Sequence, residues 1–183
     1  MAKYACYQAA AIADEGNDVV FLGYGHLREE LASLAPQIEF VDLVSTDRSG
    51  GKLRRAGQWI MGLRSEVSQL DKLAERHNAK QIIFASYSEY FSPLWVGKLN
   101  VMHGKGIKFG TVVHDPIRDY QIGPNWWHQY CISKAYSFVD VAFVHDGTKI
   151  DRGCPRSKVA TKTIPLGPFA VPDPGGNGTR RQC

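Results

Sequence analysis

His114 and Asp115 stand side by side at the end of Lys108-Phe-Gly-Thr-Val-Val-His-Asp-Pro116, a run that reads as a buried strand emptying into a loop. Val112 and Val113 are β-branched and apolar, as a strand inside a parallel sheet requires, and Pro116 ends the ladder because it has no N–H to give. A His-Asp pair placed there lies where open α/β sheets bind ligands, and the carboxylate tunes the protonation of its neighbour. The alternative is structural, with Asp115 capping the following turn and His114 a polar strand end. Four residues after His114, Arg118 offers a guanidinium suited to bidentate phosphate binding, unless it is a solvated loop residue paired with Asp119.

A second strand end supplies Ser86, Tyr87, Glu89 and their neighbours in Ser86-Tyr-Ser-Glu-Tyr-Phe91. Hydroxyls, a carboxylate and aromatic faces together suit a sugar or lipid-linked acceptor, the rings making CH contacts and the polar edges fixing orientation. The competing role is the start of a helix with Ser88 or Ser92 as its cap. Trp126-Trp127-His128 can line a groove, although indoles at a helix start more often pack. Gly23-Tyr24-Gly25 between a strand and a helix matches the opening of a dinucleotide fingerprint, but Arg28 takes the third glycine position, and the acid would be Asp42 or Asp47. Lys52, Arg54 and Arg55 with Trp59 could meet anionic lipid headgroups, although such a charged stretch is more often a solvated helix face.

The elements that must position these residues alternate. Helices are expected over the first seventeen residues up to Gly16-Asn17, over Leu27–Leu34, Leu53–Arg76, Pro93–His103 and Trp126–Phe138. Strands are expected at Asp18–Gly23, a short buried one, and at Ile38–Leu43, Gln81–Ala85, Lys108–Val113, Asp140–His145 and Ala160–Ile164. The stripe Leu53, Ala56, Ile60, Leu63, Val67, Leu70, Ala74 is too short and too irregular in flanking charge for a coiled-coil seam, so it should pack on a sheet. Such alternation demands an α/β fold with a mostly parallel, doubly wound sheet flanked by helices.

With 183 residues, 44% hydrophobic and 22% charged, the chain can bury one full-sized core, so one globular domain is expected over residues 1–171. A net charge of +4 is compatible with phosphorylated ligands or an anionic membrane surface and too small to argue for nucleic acid. Cys6, Cys131, Cys154 and Cys183 form no C-x-x-C pair, which suggests neither a zinc site nor a disulfide framework. No stretch approaches the ~20 apolar residues that span a bilayer, and the amino terminus lacks a secretory pattern, so a cytoplasmic location is expected. Residues 172–183, Pro-Asp-Pro-Gly-Gly-Asn-Gly-Thr-Arg-Arg-Gln-Cys, read as a disordered tail.

Gly16-Asn17-Asp18-Val19-Val20 after a helix, His114-Asp115, Val139-Asp140-Val141-Ala142 and Ile164-Pro165-Leu166-Gly167 come in an order that resembles the N-terminal domain of GT-B glycosyltransferases, specifically the family-four group of retaining enzymes. The resemblance covers roughly residues 3–169. It implies a Rossmann-like domain on the acceptor side, and transfer of a sugar from a nucleotide-sugar donor to a glycan or lipid-linked acceptor hydroxyl. It implies no cofactor and no protein-bound metal, consistent with the lack of a D-x-D motif. His114 and Asp115 would be its catalytic pair, while Arg118, Ser86, Tyr87 and Glu89 would bind substrate. Members of that group begin with a strand and Gly-rich loop, and they continue after the Ile-Pro-x-Gly exit into a donor-binding domain with paired glutamates. This chain has neither, so it resembles half an enzyme, inactive alone and lacking the first central strand. A slot is expected between Asp18–Gly23 and Gln81–Ala85, with the apolar faces of the Ala9–Ile12 and Leu63–Leu70 helices partly exposed. The alternative from another class is a noncatalytic binding module or truncated remnant of that fold.

Overall fold

The computed structural model describes residues 2–43, 51–86, 88–113, 123–144 and 159–164. Helix α1 (Ala2–Asp14) opens the chain and stops where Gly16 takes a φ of +82°, its N–H bonded to the Ala13 carbonyl at 2.9 Å. Only a residue without Cβ adopts that left-handed conformation cheaply, and Asn17 seals the end by donating its side-chain amide to the Ile12 carbonyl. Strand β1 (Val20–Gly23) leads through a 3₁₀ turn, Gly25–Leu27, into α2 (Arg28–Leu34) and then β2 (Glu39–Asp42). The 25-residue α3 (Lys52–Arg76) precedes β3 (Gln81–Phe84). A 3₁₀ turn at Ser92–Leu94, α4 (Val96–Gly104), β4 (Lys108–Val113), α5 (Asn125–Ala135), β5 (Val141–Val144) and β6 (Ala160–Thr163) complete the order.

All strand pairs are parallel, and they form two sheets. One holds β1 beside β2 in the register Phe21 to Phe40; the other runs β3-β4-β5-β6, with Ile83 beside Gly110 and Val112 beside Phe143. The four-stranded parallel sheet flanked by helices is consistent with a Rossmann-like layout. Gly110 has a packing reason, since a Cβ there would lie 3.1 Å from a Phe143 ring carbon and 3.5 Å from the Ile83 side chain.

Alternation along the strands puts Ile82, Phe84, Phe109, Val113, Ala142 and Val144 on one face of the larger sheet, and α3, α4 and α5 all cover that face. Leu99 on α4 and Ile132 on α5 are 0% and 1% exposed, and each stabilises the fold by roughly 1.5–3 kcal/mol through burial alone. At the centre Phe109 meets Phe138 edge-on, with ring centroids 5.1 Å apart and planes at 86°. A separate, smaller cluster joins Cys6, Ala9 and Ala10 of α1 to Leu27, Leu31 and Ile38 around the two-stranded sheet. The alanines there let α1 and α2 approach closely.

The structure amends four sequence expectations. Strand β1 is not buried, since Val20, Phe21 and Leu22 are all half-exposed; among the described residues it has one neighbouring strand and a single helical covering layer. The helix expected from Pro93 breaks, because Trp95 adopts a φ of −130° between the Pro93-containing 3₁₀ turn and α4. Neither Ser88 nor Ser92 caps it: Ser88 Oγ donates to the Tyr90 carbonyl, and Ser92 Oγ donates to the Cys131 carbonyl. Helix α5 ends at Ala135, and Tyr136, Ser137 and Phe138 form a tight turn into β5. The α3 stripe does pack on the sheet, with Val67 and Ala74 buried in the larger core and Leu63 and Leu70 beside them.

Candidate functional site

In a parallel sheet every strand leaves at the same end, and the segment after β3, the first turns of α5 and the first half of α3 all lie at that carboxyl end. They converge on a ridge of rings. Trp59 of α3 meets Phe91 edge-on at 5.5 Å, Phe91 meets Trp127 of α5 at 6.2 Å, and Trp127 touches both Trp126 at 5.9 Å and Tyr130 at 6.1 Å. The outer members are open to solvent, with Trp126 69% and Tyr130 45% exposed. Exposed rings in a continuous row are costly to leave in water and are characteristic of binding surfaces.

Polar groups sit on the same segments. Glu89 accepts a 2.5 Å hydrogen bond from the Tyr136 hydroxyl, tying the segment after β3 to the end of α5. The Tyr90 ring stands 6.0 Å from His128, which is 5% exposed, and His128 Nδ1 has no partner among the described residues. Thr111 of β4, fully buried, likewise has an unpartnered Oγ1 among the described residues. Phe91 holds a left-handed conformation, φ +57°, a strained backbone for an aromatic residue. Its position is fixed by Ser92 donating to the Cys131 carbonyl and by Arg64 of α3 donating Nε to the Leu94 carbonyl at 2.9 Å. Burial pushes the Cys131 thiol above its ordinary value, partly offset by a hydrogen bond from the Phe91 backbone, and the residue is fully buried.

Of the residues expected from sequence to do chemistry, Ser86 is exposed at the strand end and Glu89 is half-buried against Tyr136. Tyr87, His114, Asp115 and Arg118 lie outside the described residues. The Trp126-Trp127-His128 run divides its work: Trp126 faces solvent, Trp127 links the rings and His128 is buried. At the G-x-G turn, α2 has only seven residues and Arg28 ion-pairs with Asp42, one of the two acids a dinucleotide would need, while the other, Asp47, lies outside the described residues. Trp59 is half-buried against Phe91, which argues for packing at that position.

Two roles gave no sign in the sequence. Tyr136 carried no signal because its hydroxyl partner is 47 residues away. Asp140 belongs to the matched Val139–Ala142 run, yet its carboxylate is a structural clamp. It accepts the Phe109 N–H at 2.8 Å and contacts His103 Nε2 at 3.2 Å and Lys108 Nζ at 3.3 Å. Burial alone would raise its pKa, but the Phe109 N–H, His103 and Lys108 outweigh burial and hold it below the ordinary value of 3.8.

Among the described residues no three His, Cys, Asp or Glu side chains gather around one metal-sized position, and no helix is long and apolar enough to cross a membrane. No protein-family model, curated protein or solved structure matches this chain.

Proposed function

We propose that this domain is the acceptor-binding half of a GT-B-type, retaining glycosyltransferase that uses a nucleotide-sugar donor held largely by a second domain. The observation that carries the reading is the aromatic ridge from Trp59 through Phe91, Trp127 and Trp126, with Glu89 on the same segment as Phe91, at the carboxyl end of parallel strands. Ring faces for sugar CH groups beside polar groups for hydroxyls is the surface a glycan or glycolipid acceptor needs. In this reading the two sheets form one doubly wound sheet of order β2-β1, gap, β3-β4-β5-β6. His114 and Asp115 follow β4 in the sequence, and His114 would stabilise charge developing at the anomeric centre. Arg118, Ser86 and Tyr87 would complete the substrate contacts.

A noncatalytic carbohydrate-binding module is favoured by one observation: Glu89 is already engaged by Tyr136, and a carboxylate so held orients a ligand better than it exchanges protons. The two readings separate by experiment. On a glycan array the 183-residue chain should show selective binding that Trp126→Ala and Trp127→Ala each reduce at least fivefold; an undiminished signal in both variants removes the ridge as an acceptor site. Calorimetry with UDP-, GDP- and ADP-sugars should show no tight binding, and a submicromolar affinity would overturn the division of labour. In a polypeptide carrying both domains, His114→Ala should lower turnover on the order of tenfold to a thousandfold with little change in melting temperature. Unchanged turnover in that variant would remove His114 from the reaction, and no turnover in the unsubstituted two-domain polypeptide with glycan binding retained would establish the binding module instead.

A further inference from the structure

The row of rings is flanked by a cation on each of two helices. On α5, Trp126, Tyr130 and Lys134 follow one another at four-residue spacing, so they lie along one side of the helix, and Lys134 Nζ stands 5.7 Å from the centroid of the Tyr130 ring. On α3, Arg64 is exposed and donates Nε to the Leu94 carbonyl at 2.9 Å, while the Leu94 N–H donates to the Phe91 carbonyl. The terminal N–H groups of the Arg64 fork are left open next to the turn that holds Phe91. Neither Arg64 nor Lys134 has a carboxylate partner among the described residues.

The segments that supply the rings are biased to the same sign. Residues 52–65, 86–95 and 125–135 contain Lys52, Arg54, Arg55, Arg64 and Lys134 against one carboxylate, Glu89, whereas the whole chain holds 22 Lys and Arg to 18 Asp and Glu. Glu89 is itself engaged by the Tyr136 hydroxyl. A face that is only solvated is mixed in sign, as the second half of α3 is: Asp71 pairs with Lys98 at 2.8 Å, Glu75 pairs with Lys105 at 3.4 Å, and Lys72 and Arg76 stand among them. The first half of α3 has no acid before Glu66. The rings also argue against a run of stacked bases. Trp59 meets Phe91 at 78°, Phe91 meets Trp127 at 61° and Trp126 meets Trp127 at 77°, so ring edges point at neighbouring faces, whereas single-stranded nucleic acid needs flat faces open to successive bases.

We propose that the glycan held on the aromatic ridge is anionic, an oligosaccharide whose uronate or sulfate groups meet Lys134 and Arg64 while its CH faces meet Trp126 and Trp127. The inference rests on the acceptor-binding reading and names the chemical class of that ligand. About 12 Å of helix separates Trp126 from Lys134 at 1.5 Å per residue, so the charge is met at a sugar unit beyond the one on the outer indole. A guanidinium takes a carboxylate or a sulfate through paired N–H groups, and its Nε is already committed to Leu94, which fixes the direction of the fork. Lys134 lays its methylene stem along the helix and presents its ammonium next to the Tyr130 ring, where a bound anion would be partly shielded from water. Charges placed in this way act on selectivity more than on affinity, since the rings supply contact to any sugar.

A glycan array read with the 183-residue chain tests this when each uronate-bearing or sulfated oligosaccharide is printed beside its carboxyl-reduced or desulfated counterpart. The anionic member of a bound pair should bind at least tenfold more tightly, and the uronate and sulfate series show which group is taken. Raising sodium chloride from about 0.1 M to about 1 M, which shortens the screening length from about 10 Å to about 3 Å, should weaken the anionic member at least fivefold. Lys134→Gln and Arg64→Gln should each cut the anionic preference at least threefold, whereas Trp126→Ala should weaken both members and leave the preference in place. The paired glycans on the unsubstituted chain decide the matter even if a variant fails to fold. Equal binding of the two members, or preference for the neutral one, would overturn the inference and leave the acceptor-binding reading standing. Binding to no glycan at all would bring down that reading, and this inference with it. Tighter binding to single-stranded oligothymidylate or to phosphatidylserine vesicles than to any glycan would also overturn it, because the cations would then serve a nucleic acid or a lipid surface.

Discussion

Asp140 shows how one side chain can fasten three elements. By accepting the Phe109 N–H and contacting His103 and Lys108, it ties the start of β5 to β4 and α4. Its pKa is lowered on folding, so its contribution is fully present above the ordinary value of 3.8 and is lost as pH falls through the folded value. Asp140→Asn should therefore destabilise the protein at pH 7 by on the order of 1–3 kcal/mol, and urea unfolding should show the difference from wild type shrinking below pH 3.8. A pH-independent difference would assign the loss to shape instead of charge. The Glu89–Tyr136 bond offers a second test. In the cycle Glu89→Gln, Tyr136→Phe and both together, unfolding should reveal a coupling of about 1 kcal/mol or more, since the hydroxyl is buried and its acceptor is charged.

Among the elements, α3 carries the most structural responsibility, with one stripe in the larger core and neighbouring positions reaching the smaller sheet. Helix α4 is simpler: Val96, Leu99 and Met102 recur at helical spacing and are all buried. Leu99→Ala should cost about 2–5 kcal/mol in chemical denaturation, because the aromatic cluster around Phe109 and Phe138 cannot collapse onto the lost volume. On α3, Met61 is 71% exposed at the ridge end of the helix, and Met61→Ser should change stability by less than about 0.5 kcal/mol. Equal costs at the two positions would contradict the burial pattern of these helices.

At the scale of the whole molecule, the described residues form two hydrophobic clusters with no buried member in common, fifteen residues in one and seven in the other. A cluster of seven buried residues, three of them alanines, supplies less burial energy than one of fifteen, so the α1–β2 unit should open before the rest. Native-state hydrogen exchange should show Phe21 and Val41 amides exchanging through openings at least about 2 kcal/mol less costly than those of Thr111 and Val113, by the usual spread of sub-global unfolding. Identical opening energies would show that α3 couples the two clusters into one cooperative unit.

Alternating apolar runs and their punctuation were enough to place every described strand and helix, because each answers to its own periodicity, proline or glycine: Gly16 stops α1, and Val112-Val113 announces a buried strand. The His114-Asp115 pair and Arg118 are candidates from the sequence alone, for the same local reason, and they lie outside the described residues. Contacts between distant residues were not legible. Nothing in Phe91, Trp59 and Trp127, spread over three elements, announces that their rings meet, nor that Tyr136 takes Glu89 or that Asp140 bonds Phe109. The half-exposed β1 and the division of the strands into two sheets were likewise decided by tertiary structure. Burial and ladder pairing depend on which strand stands alongside, a neighbour that residues 20–23 do not encode.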